Sequence, residues 1–114
     1  MKDCIFCEIA AGIIPCKKVF EDDHVLAFHD KNPLAPTHIL IIPKKHYYNM
    51  ESLDAADQAL LGHMLHTVNA VAQQENINND GYRVAINCGA WGRQVVQHLH
   101  IHLLGGRKLA NELG

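Results

Sequence analysis

Three histidines at alternate positions, His98, His100 and His102, are separated by Leu99, Ile101 and Leu103, and this run is where the chain is best equipped to do chemistry. In an extended strand, successive side chains point to opposite faces. The three imidazoles then share one face and the aliphatic residues line the other. Imidazole titrates near neutral pH, so that face is a candidate reaction centre. Alternate strand residues lie about 6.5–7 Å apart, which sets the outer two backbones about 13 Å apart. Three rings so spaced do not easily converge on one metal ion, although two could, with a third ligand from elsewhere. The spacing suits a division of labour better. An unprotonated central imidazole can attack phosphorus and split one displacement into two easier steps. Its second nitrogen then needs a fixed acceptor, and a flanking ring can donate to a phosphate oxygen. Three partly exposed histidines on an edge strand would be the plain structural alternative.

The elements that must position these rings can be read around them. Residues 4–11 fit a short helix with Ile5, Phe6 and Ile9 on one side, ended by Gly12 and Pro15. Residues 17–21 and 25–29 fit two strands about an Asp22-Asp23 turn, and 38–42 fit a buried strand stopped by Pro43. Residues 54–76 carry Leu61, Met64, Leu65, Val68 and Ala72 at helical spacing, with Ser52 or Asp54 as cap. Residues 82–87 and 98–104 complete a set of five strands, joined by a loop containing Gly89 and Gly92. This order predicts an α+β fold: one mainly antiparallel sheet with a long helix and a short N-terminal helix.

At 114 residues and 48% hydrophobic, the chain is expected to form one domain, residues 1–114, with a modest core. A net charge of -2 argues against a nucleic-acid polymer as partner, while leaving room for a nucleotide-sized ligand. No apolar run approaches a membrane span, and the start Met1-Lys2-Asp3-Cys4 does not read as a signal peptide. Four cysteines, Cys4, Cys7, Cys16 and Cys88, then fit reduced thiols in a cytoplasmic protein.

With these residues in view, the chain resembles the histidine triad (HIT) family, in its Hint-type branch. The resemblance rests on His98-Leu99-His100-Ile101-His102-Leu103-Leu104 and the Gly105-Gly106-Arg107 that follows. Phe20-Glu21-Asp22-Asp23, Leu26-Ala27-Phe28-His29-Asp30, Ala35-Pro36-Thr37-His38 and Ile42-Pro43-Lys44-Lys45-His46 match as well. It implies a HIT-like fold and a homodimer whose sheets join into one. It also implies hydrolysis of purine nucleoside 5′-phosphoramidates, such as adenosine or guanosine monophosphate linked to an amine, with no cofactor needed for catalysis. His100 falls on the nucleophile, His102 on an α-phosphate contact, and His38 and His98 on supporting positions. Asn87, Arg93, Gln94 and Val95 fall on the phosphate side, and Asp30 falls on the ribose contact beside Lys31. Ile5, Phe6, Ile9 and Phe28 fall on the slot for the base. Read without the resemblance, Asp30 fits a sugar diol or a turn, and the apolar residues fit plain core.

Three departures stand out. Val95 replaces a serine common in relatives, which removes a hydroxyl beside the departing amine. Arg93 stands where glycine is common, and Trp91 lies two residues before it; Gln97 replaces a frequent aromatic. The Cys4-Ile5-Phe6-Cys7 unit offers two thiolates at the spacing of half a tetrahedral zinc site, or simply two small apolar residues in a short helix. The resemblance offers His46 and His98 to complete it as a structural centre. Two other functions remain open: a nucleotide-binding interaction module with low residual activity, and a dinucleoside polyphosphate hydrolase. A zinc hydrolase using two triad histidines is a third mechanism.

Overall fold

The computed structural model describes residues 3–112, so residues 1–2 and 113–114, the ends of the expected domain, lie outside the described residues. Cys4 caps a helix, α1 (Ile5–Ala10), by accepting the Cys7 N–H on its sulfur. The chain then forms β1 (Lys18–Glu21), β2 (Val25–His29) and β3 (Thr37–Pro43). A long helix, α2 (Gln58–Gln74), is followed by β4 (Arg83–Ala85) and β5 (Ile101–Gly105). The five strands pair antiparallel in the order β1-β2-β3-β5-β4.

The sheet is buried on both faces because its central strands read as near-continuous apolar runs. One face presents Val25, Ala27, Ile39, Ile41, Ile101 and Leu103 to Met64, Val68, Val71 and Ala72 of α2. The opposite face presents Leu26, Phe28, Leu40 and Ile42 to Cys4, Phe6 and Ile9 of α1 and its N-cap. Leu40 pairs with His102 and His38 with Leu104, so those histidines share the α1 face. Among the described residues, no helix is long and apolar enough to cross a membrane.

Several sequence expectations shift. The last strand begins at Ile101, not at residue 98. The β3–β5 register places Ile41 opposite Ile101, so the next ladder position would set Leu99 against Pro43. Proline has no N–H to give, and the Pro43 carbonyl is taken by His98 Nε2 at 2.9 Å. Leu99 instead donates its N–H to the Tyr47 carbonyl at 2.7 Å. The alternation of faces nonetheless survives: Leu99 joins the α2 core, and the His98 and His100 rings stack against Phe6. The fourth strand keeps only three residues, since Asn87 turns its side chain to the Gly92 carbonyl at 2.8 Å. The long helix starts later than residue 54, because Asp54 and Asp57 form a reciprocal cap on the 3₁₀ turn Ala55–Asp57. Its buried stripe runs through Met64, Thr67, Val68 and Val71, leaving Leu65 45% exposed. Ile5 likewise points outward from α1, away from the apolar side.

Candidate active site and metal centre

The segment from His98 to His102 builds two adjoining groups of side chains. His100 sits between them, buried, with its ring edge-on to Phe6 at 5.2 Å and to His102 at 4.9 Å between centroids. Its Nδ1 lies 2.7 Å from the His98 carbonyl oxygen, which can only accept. Nδ1 therefore carries the proton and Nε2 keeps a free lone pair. Burial lowers the His100 pKa below the ordinary histidine value, which favours this neutral form.

The same logic fixes the neighbouring rings. The Leu34 N–H donates to His38 Nδ1 at 3.1 Å, so His38 bears its proton on Nε2. That nitrogen lies 3.0 Å from His102 Nδ1 and 3.4 Å from Asp30 Oδ2. His102 thus accepts at Nδ1 and has its own N–H on Nε2, as a donor for a ligand. Burial pushes His102 down to about 4 and His38 in the same direction. Asp30, His38 and His102 lie close enough to consider a metal. Their hydrogen bonds oppose it, because His38 Nε2 cannot offer a lone pair while its Nδ1 accepts from Leu34. A zinc hydrolase built on these rings does not fit.

The second group adjoins the first, with Phe6 edge-on to both His98 and His100. His98 is fully buried and donates from Nε2 to Pro43, leaving the Nδ1 lone pair bare. That Nδ1 lies 3.2 Å from Cys4 Sγ, 3.5 Å from Cys7 Sγ and 3.1 Å from His46 Nδ1. Cys7 Sγ is also 3.2 Å from His46 Nδ1. Zinc bonds of about 2.0–2.1 Å to nitrogen and 2.3 Å to sulfur imply donor separations of roughly 3.3–3.8 Å around a tetrahedron. The separations of 3.1–3.5 Å lie at or just below the short end of that range, all four donors fall within 4.8 Å of one another, and two sulfurs with two imidazole nitrogens are a common zinc set. His46 meets the cluster with Nδ1, and its other ring nitrogen, Nε2, is buried with no partner among the described residues. The donors fit zinc. The His98 side chain belongs to this centre, and only its backbone carbonyl serves His100.

The apolar residues expected to hold a base form one cluster on the α1 face: Phe6, Ile9 and Phe28 pack together, with Phe6 and Phe28 edge to face at 5.7 Å. Ile5 stays outside it. Asp30 lies at the edge, with one carboxylate oxygen closing a turn on the Asn32 N–H and the other beside His38. Lys31 is exposed next to it.

The 87–97 loop differs from expectation in how its side chains are spent. Gln94 is buried and points into the loop. Its amide oxygen accepts the Gly89 N–H at 2.9 Å, and its nitrogen donates to the Tyr48 and Val96 carbonyls at 2.7 and 3.0 Å. It shapes the loop and has no amide N–H left for a ligand. The N–H groups of Arg93 and Gln94 go to the Ala90 and Gly89 carbonyls. Among the described residues, no acceptor takes the Val95 N–H. The Arg93 backbone is left-handed, at φ 64°. Trp91, Arg93 and Val95 project from the loop. Sequence reasoning missed Leu34, Pro43 and Tyr48, which act through main-chain atoms that carry no side-chain signal.

The HIT domain family model matches residues 11–109. The chain belongs to the HIT family. An uncharacterised HIT-like protein of Synechococcus elongatus is 54% identical over 109 residues, covering 96% of this chain and 95% of that protein. A HIT family hydrolase from Legionella pneumophila superposes with a TM-score of 0.95 at 46% identity, covering 98% of this HIT protein and 100% of the other chain. A zinc-bound histidine triad protein from Mycobacterium smegmatis superposes with a TM-score of 0.79 at 28% identity, covering 99% and 81%.

Proposed function

We propose that this HIT protein hydrolyses purine nucleoside 5′-phosphoramidates through a nucleotidyl-His100 intermediate. The observation that carries the reading is the pair of opposed tautomers: His100 with its proton on Nδ1, His102 with its proton on Nε2. The base lies against Phe6, Ile9 and Phe28, the ribose hydroxyls meet Asp30 beside Lys31, and the phosphate meets His102 and the Val95 N–H. Asn87 and Gln94 hold the loop that offers that N–H, and Arg93 flanks it.

His100 Nε2 attacks the α-phosphorus, and the bond from phosphorus to the amine nitrogen breaks. The amine departs with a proton taken up from water. The resulting imidazolium keeps its Nδ1–H on the His98 carbonyl, which favours the positive charge formed on the ring. Water then attacks phosphorus, releasing the nucleoside monophosphate and restoring neutral His100. His38 keeps His102 in its donor tautomer throughout. None of these steps uses a metal or an organic cofactor. Cys4, Cys7, His46 and His98 hold zinc as a structural clamp between α1 and the catalytic segment, in a cytoplasmic setting that keeps both thiols reduced. The likeness to a zinc-bound relative supports that assignment.

A homodimer is part of the same reading. β4 is an edge strand with unpaired backbone, and Val84 on it and Leu65 on α2 are both exposed on the α2 side of the sheet. A second copy joining along that edge would cover them. The 114 residues form a single HIT domain in this view.

Mass spectrometry of protein quenched during turnover tests the mechanism, with a nucleoside monophosphate adduct on His100 as the expected species. Alanine at 100 should abolish turnover and leave monophosphate affinity largely intact. Full-speed cleavage by that variant would overturn the reading. Val95, 88% exposed and without a hydroxyl, favours one alternative, a nucleotide-binding module with low activity. Tight monophosphate binding with no adduct in the wild type would select it.

A further inference from the structure

The metal centre and the nucleophile share a residue that the sheet does not hold. Residues 98–100 precede β5 and lie outside the β3 ladder, so strand pairing does not fix the His98 carbonyl. That carbonyl nevertheless sets the tautomer of His100. Two holds act on the peptide that carries it: the Leu99 N–H, bonded to the main-chain carbonyl of Tyr47, the residue after His46, and the His98 ring, held at Nε2 by Pro43 and faced at Nδ1 by Cys4, Cys7 and His46.

The second link is Phe6, which lies between Cys4 and Cys7 in the chain. Its ring meets His98 at 5.9 Å and His100 at 5.2 Å. α1 has six residues, well below the ~12–15 at which an isolated helix becomes even marginal in water. Its place depends on its tertiary contacts: Phe6 and Ile9 pack on the sheet, and Cys4 and Cys7 face the His98 ring on the catalytic segment.

We propose that Cys4, Cys7 and His46 are positioning residues for His100: joined to His98 through a shared zinc ion, they fix the carbonyl that holds His100 and keep Phe6 against its ring. This rests on the covalent-histidine reading for its catalytic meaning, though its structural content can be tested without substrate. Residues around a metal that orient a reacting group typically matter about 10–100-fold.

The test compares full-length zinc-loaded protein with the same protein after chelator treatment, and with Cys7→Ser. Nitrogen-15 NMR of the histidine rings reads the His100 tautomer directly, and hydrogen exchange reads α1. The loaded protein should show one tautomer with the proton on Nδ1. Depletion should mix the tautomers and remove α1 protection while β3 and β5 stay protected. With a nucleoside phosphoramidate, kcat should fall about 10–100-fold, and KM should rise as Phe6 leaves the base slot. An unchanged His100 tautomer and unchanged kcat after metal loss would overturn the proposal. Global unfolding on depletion would also overturn it, showing a centre that only holds the fold. So would a chain that takes up no zinc. A metal-dependent tautomer in a protein that cleaves no phosphoramidate would instead sink the functional reading and leave the positioning role standing.

Discussion

Replacing Gln94 with alanine separates a loop-shaping role from direct contact with substrate. The side chain is 8% exposed and makes three hydrogen bonds, accepting from Gly89 and donating to the Tyr48 and Val96 carbonyls. At about 0.5–1.5 kcal/mol per bond, its loss should weaken the loop locally by roughly 1.5–4.5 kcal/mol. Tenfold per 1.4 kcal/mol translates this into roughly 10–10³-fold faster exchange of the loop amides, if they exchange by local opening. Hydrogen exchange followed by mass spectrometry of the 88–96 peptide is the assay, run beside kcat/KM on an adenosine phosphoramidate. Both should change together, because the loop presents the Val95 N–H. Glutamate at 94 should do no better, since a carboxylate would face two carbonyl oxygens and donate to neither. Unchanged loop exchange with a lowered kcat/KM would refute this account and make Gln94 a direct ligand contact.

Other substitutions and conditions probe neighbouring parts. Gly92→Ala would drive a Cβ into the Cys88 carbonyl oxygen; a loss of about 1–3 kcal/mol is expected in urea titration, and an unchanged midpoint would contradict the loop geometry. Val95→Ser adds a hydroxyl at an 88% exposed position. Stability should hold within about 0.5 kcal/mol while phosphoramidate turnover rises; no gain removes the idea that valine slows departure of the amine. His102 is pushed down to about 4 by burial, with His38 and His100 moved the same way. The unfolded chain then binds the protons first, so stability is full above about pH 6.5 and drains as pH falls toward 4. Urea midpoints at pH 7.5 and 5 should differ in that direction, and a midpoint that rises on acidification would count against the buried neutral rings.

The two faces of the sheet were legible because Leu99, Ile101 and Leu103 alternate with the histidines, and the side-chain period of a strand is independent of whether its ladder is complete. The ladder itself was not legible. It ends where Pro43 would have to donate an N–H, which depends on register between segments far apart in the chain. The Cys4–Cys7 spacing declared two donors, and His46 and His98 were reached through the family pattern. Gln94 shows the reverse problem: a polar residue in a phosphate-side loop looks like a ligand contact, and only the folded loop shows that both of its amide N–H groups are already spent. Leu65 and Ile5 obey helical periodicity yet lie outside the core, since the sheet accepts a narrower stripe than hydrophobicity alone outlines.

One face of the sheet carries only packing beneath α2, while the other mixes a second apolar cluster with the histidines, the two divided by the thickness of a peptide backbone. Drift in the packing beneath α2 alters how firmly the domain stands without touching a reacting atom. On the proposed reading, drift among Phe6, Phe28, Asp30 and the 87–97 loop would retune what is bound while the packing beneath α2 stays as it was. A lineage built on such a plane can change its substrate and its melting point on separate evolutionary clocks.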